Sequence, residues 1–173
     1  MPRRLLFVFV AALALGGCAP KFAQDSDSGY AGPSARFTDT ETLSDYDSVN
    51  FFYLEKIDGR KIRNGLQATQ SANYGHGAQL VPVSVYRDVP TAPAHFTIVG
   101  RTHYPTPILE MANTIYRVSG DISFTPVANH TYLVKGVLGA TYSAVWIEDA
   151  QTYEKIGQKI EVNGSAALDL WEK

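Results

Sequence analysis

The chain has 173 residues, of which 45% are hydrophobic and 18% charged, with a formal net charge of −2. That is the length of one ordinary domain with enough apolar content for a packed core, which excludes a wholly disordered chain. The near-neutral balance excludes a dedicated nucleic-acid binder, and a single cysteine excludes a disulfide framework or a multi-cysteine metal site.

The N-terminus reads as an address. Arg3 and Arg4 precede the uncharged apolar stretch Leu5–Leu15. At about 1.5 Å per residue that stretch is too short for about 30 Å of hydrocarbon, so it fits a signal-peptide core and not a membrane span. Leu15-Gly16-Gly17-Cys18 then resembles a bacterial lipobox. The resemblance implies residues 1–17 as a signal peptide, cleavage before Cys18, and acyl chains such as palmitate on its sulfur and new amino group. Several chains meet the requirement for stable anchoring. Ala19, not Asp, follows the cysteine. By resemblance to enterobacterial-type sorting this implies the outer membrane, with the protein facing the periplasm. Cleavage removes Arg3 and Arg4 and leaves a more anionic chain, so attachment would be by lipid on Cys18 and not by a basic patch.

Residues 18–46 are rich in Asp, Ser, Thr, Gly and Pro and show no sustained period. They read as a flexible tether spanning roughly 30 Å as a coil and about 100 Å when stretched. The alternative is a partner-binding segment using Phe22, Tyr30 and Phe37.

The body, residues 47–163, reads as β throughout. Val49–Lys56 is β-branched and aromatic, Asp58-Gly59 is a turn, and Arg60–Ile62 a short returning arm. Asn64-Gly65 is a further turn and Ser71–Ala78 a loop. Leu80–Arg87 alternates, with Pro82 marking an edge or a bulge. His95–His103 is the next strand, followed by a helical turn or loop over Ile108–Asn113. Ile115–Phe124 alternates cleanly, and Tyr132–Leu138, Tyr142–Glu148 and Lys155–Val162 complete the strands. Residues 164–173 form a tail that could be a short amphipathic helix docking through Leu168 and Trp171. About seven short strands and no long helix predict an all-β antiparallel sandwich, with a small closed barrel as the other architecture.

Tyr116–Lys155 (YRVSGDISFTPVANHTYLVKGVLGATYSAVWIEDAQTYEK), with the turns at Ile57-Asp58-Gly59 and Arg87-Asp88-Val89-Pro90, resembles small bacterial envelope lipoprotein domains. Those are sandwiches of PEGA-like or transthyretin-like type. The resemblance implies envelope association and carries over no catalytic residue.

Chemistry is sparse. Gly-x-Ser-x-Gly and His-Glu-x-x-His do not occur, and the four histidines sit on different segments, so no metal or cofactor is expected. Glu148 and Asp149 would point to opposite faces of a strand, and Asp149 is placed to open the next turn. Arg101 and His103 are two apart on a strand, on one face, where a cation beside a titratable ring could hold a carboxylate or phosphate. The plainer reading is a solvated strand end. Tyr74, His76 and Tyr104 lie in or beside loops and are the candidate exposed ligand contacts. Two function classes follow. One is a non-catalytic envelope module, binding or structural, that meets another envelope component through Tyr74, His76, Arg101, His103 and Tyr104. The other is an enzyme or ligand carrier using the Arg101/His103 face, which requires a concave site; a glycan-binding module lies between the two and requires a groove lined by exposed aromatics.

Overall fold

The computed structural model describes residues 31–45 and 47–173. The expected signal peptide, Cys18 and the first part of the expected tether lie outside the described residues. The chain is mostly β: β1 (Ser34–Asp45), β2 (Ser48–Ile57), β3 (Arg60–Lys61), α1 (Gly65–Ala72), β4 (Tyr86–Pro90), β5 (Ala94–His103), α2 (Pro107–Ala112), β6 (Arg117–Phe124), β7 (Thr131–Val137), β8 (Tyr142–Asp149) and β9 (Lys155–Asn163).

These strands form one mixed sheet in the order β6-β5-β2-β1-β7-β8-β9, with β3 on β2 and β4 on β1. The expected pair of antiparallel sheets is corrected in two respects. β1 runs parallel to β7, pairing Arg36–Asp39 with Thr131–Val134. The sheet also curls almost into a barrel. Its end strands β6 and β9 approach side by side without a ladder between them. A Cβ on Gly120 would come within 2.9 Å of Ile160, and one on Gly157 within 2.9 Å of Ile122.

The second correction concerns the tether. Its residues 34–45 are β1, which is the seam of the sheet. Its first half pairs with β4 and β7, its second half with β2. Ala35 and Phe37 point inward and are fully buried, so Phe37 is core and not a partner contact. The next inward position is Asp39, and there the neighbours of β1 change from β4 to β2. Asp39 Oδ1 accepts from the Leu54 N–H at 3.1 Å and Oδ2 from the Gly65 N–H at 2.9 Å. Arg87 binds both oxygens, at 2.9 and 2.8 Å. One carboxylate thus supplies the partners that the diverging backbones lack.

Inside the curl, Phe37, Phe96, Phe124 and Tyr132 stack among Leu54, Ile98, Val134 and Ile147. Outside it, Val49, Phe51, Tyr53 and Val99 project from β2 and β5 and are covered by Leu66 of α1 and by Leu80. Residues 80–85 form no strand, and β4 begins only at Tyr86. The tail makes a bridge from Ala167 to Tyr116 and no helix. Trp171 is 93% exposed and does not dock.

Candidate functional site

The outer face of β5 carries Val99, Arg101 and His103 in alternation, because Phe96, Ile98 and Gly100 face the curl. Two helices rise around that face. Asn64 caps α1 in a reciprocal box with Gln67, at 3.0 and 3.3 Å. Thr106 caps α2, with Pro107 at its first turn. α2 turns Glu110 back onto the strand, where its Oε1 meets His103 Nδ1 at 2.7 Å.

The loop after α1 is held by two side chains. Asn73 Nδ2 donates to the carbonyls of Thr69 and Val81, both at 2.8 Å, and Asn73 Oδ1 accepts the Val81 N–H at 2.9 Å. Thr69 Oγ1 accepts the Val83 N–H at 2.9 Å. The loop thereby closes on itself with Tyr74 at its tip, 90% exposed.

Between this loop and the segment Tyr104–Glu110 lies a cleft of about 440 Å³. Tyr74 and Leu80 line one side and Tyr104 and Pro105 the other, with Gln70, Asn73, His103 and Glu110 supplying polar groups. Burial alone would raise the Glu110 carboxyl. The hydrogen bond and charge of His103, the charge of Arg101 and the Tyr104 backbone outweigh it and hold the group below its ordinary value. Glu110 is therefore an ionised acceptor in the cleft at neutral pH.

Of the residues singled out in the sequence, Tyr74, His103 and Tyr104 meet in this cleft. His76 sits in the same loop, its N–H bonded to the Asn73 carbonyl at 3.0 Å, but does not line the cleft. Arg101 lies in an adjoining groove of about 240 Å³ with Tyr53, Lys61 and Gln67, and Gln70 borders both spaces. Gln70, Asn73 and Glu110 escaped sequence reading. The capping patterns Asn64-x-x-Gln67 and Thr106-Pro107 could have revealed the helices that carry Gln70 and Glu110. Nothing in the sequence joins His103 to Glu110.

A third groove, of about 260 Å³, lies at the other end of the sheet beside Arg36, Asp88 and His130. Its charges are mutually satisfied: Arg36 holds Asp88 at 3.0 Å, and His130 holds Asp149 at 2.5 Å. Comparison with family models, curated proteins and solved structures gives no match. The functional reading therefore rests on the geometry.

Proposed function

We propose that the protein is a non-catalytic binding module of the bacterial envelope, held at the outer membrane by lipid on Cys18, and that its cleft takes a carbohydrate. The observation that carries this is the cleft itself. Two tyrosines from separate loops, Tyr74 and Tyr104, border one concavity beside two amide side chains and an ionised carboxylate. Aromatic faces pack the C–H faces of a sugar ring, while amides and a carboxylate match its hydroxyls. The membrane reading rests on the lipobox resemblance, and no helix among the described residues is long and apolar enough to cross a bilayer.

Binding is favoured over hydrolysis. Glycoside hydrolysis ordinarily takes a pair of carboxylates across the scissile bond. Among the described residues lining the cleft, Glu110 is the single one, and it is engaged by His103.

The test uses the full-length chain in a polyoxyethylene detergent, which has no sugar headgroup to compete, on an array of neutral and acidic glycans. A defined subset should bind, and Tyr74→Ala should weaken it about tenfold, the loss of one stacking wall. No captured glycan, or a Tyr74→Ala variant that binds like the parent, would refute the reading. Intact-mass measurement of the same preparation should show acylation that Cys18→Ala removes.

A further inference from the structure

We infer that the sugar held in the cleft bears a carboxylate, and that Arg101 in the adjoining groove recognises it. The inference rests on the carbohydrate reading and adds a ligand class to it.

The register of β5 and β6 sets Arg101 directly opposite Arg117. Like charges facing across two strands oppose each other, and Lys61 adds a third cation at the groove. Glu55 is the sole acidic residue lining that groove among the described residues, and it is committed to Arg117 at 3.6 Å. Arg36, Arg87 and Arg117 each hold a carboxylate. Arg101 has none among the described residues, and its Nε is buried with no hydrogen-bond partner. Arg87 Nε is also unbonded, but both terminal nitrogens of Arg87 grip Asp39. Arg101 is thus a half-buried guanidinium short of an anion, at the edge of a ligand-sized space.

The two spaces are neighbours. Gln70 lines both, and the charge of Arg101 reaches Glu110 in the cleft. Arg101 and His103 are two residues apart on one strand face, roughly 7 Å. That separation matches a sugar ring in the cleft with its carboxylate turned toward Arg101. Burial, and then Glu55, push the Tyr53 phenol up to about 12, so it keeps its proton and can donate in the same groove. The planar fork of arginine suits a carboxylate, and Glu55 in the groove favours a monoanion over a phosphate dianion.

The experiment is calorimetric titration of the full-length chain in the same detergent with two matched pairs, glucose against glucuronate and galactose against galacturonate, and with glucose 6-phosphate. In at least one pair the acid should bind about tenfold more tightly than its parent, with an advantage that shrinks as salt rises. Arg101→Gln should erase the advantage of the acid while the neutral sugar still binds, which also shows that the variant is folded. Arg101→Lys keeps the charge without the fork and should fall between; it replaces the glutamine variant if that one does not fold. Equal binding of acid and parent, a preference that survives Arg101→Gln, or tighter binding of the phosphate would each overturn the inference and leave sugar binding intact. Failure of every probe to bind would overturn both.

Discussion

Asp39 shows how one residue can decide the path of several strands. Its side chain is 3% exposed and Arg87's is 2% exposed, and the pair is joined by two hydrogen bonds. Removing one partner of a buried pair leaves an uncompensated charge, whereas removing both leaves an apolar gap. Asp39→Ala should therefore cost about 3–5 kcal/mol in urea unfolding. Asp39→Ala with Arg87→Met should recover part of that loss, because the Leu54 and Gly65 N–H groups and the Arg63 carbonyl are then orphaned but no buried charge is. A double variant as unstable as the sum of the singles would mean that the charges do not act as a pair. Neither residue signals this role in the sequence. Phe37 and Arg87 are fifty positions apart in the chain, and only the pairing of β1 with β4 brings Arg87 to the face on which Asp39 lies.

Strands whose inward positions are apolar were legible, and β1 and β4, with the buried charges of Asp39 and Arg87 at inward positions, were not. β2, β5, β7, β8 and β9 lie within a residue or two of their expected limits because β-branched and aromatic residues recur at alternate places along them. β1 reads as solvated coil because Asp39 replaces a core residue and the outward places are Arg36, Thr38 and Thr40. Turns fared better. Asp58 and Gly59 both have positive φ, 49° and 77°, as a two-residue hairpin with right-handed twist demands. Asp149 opens the β8–β9 turn, its Oδ1 accepting from the N–H groups of Gln151 at 2.8 Å and Thr152 at 3.2 Å. Burial would raise this carboxyl, but the His130 bond and those two N–H groups hold it below its ordinary value. A carboxyl lowered in the native state stabilises fully above its unfolded value, about 4. That contribution disappears as pH falls from there through the lowered native value. Unfolding free energy followed from pH 6 to pH 2 should drop in this window, and Asp149→Asn should flatten the drop. An unchanged slope would remove Asp149 from the account.

At the scale of the molecule, the β class was readable, but the count, about seven expected against nine found, and the closure were not. Alternation tells that one face of each strand is buried, and a sandwich and a curled sheet satisfy that equally. The outcome is set by close approaches that only glycine permits. A Cβ on Gly136 would strike the Phe52 ring and the Ala144 carbonyl, and one on Gly120 would meet only the Ile160 side chain. Gly136→Ala should cost about 1–3 kcal/mol, the penalty of overpacking. Gly120→Ala should cost less, since Ile160 can rotate away. The reverse order in chemical denaturation would show that the β6–β9 approach is the tighter constraint.

The early start of β1 also fixes where the protein can reach. With lipid on Cys18, the leash to Ser34 spans at most about 55 Å, not the longer reach of a coil that ends at residue 46. From Ser34 the strand itself becomes a mast. Val49 pairs with both Leu43 and His103, so the cleft stands level with Leu43, about 30 Å farther along β1. The groove beside Arg36 and His130 lies at the foot of the mast and the cleft beside Tyr74 and Tyr104 toward its head. Were the proposed lipid on Cys18 the anchor, the foot would be the end nearer to it along the chain and the cleft the end farther from it.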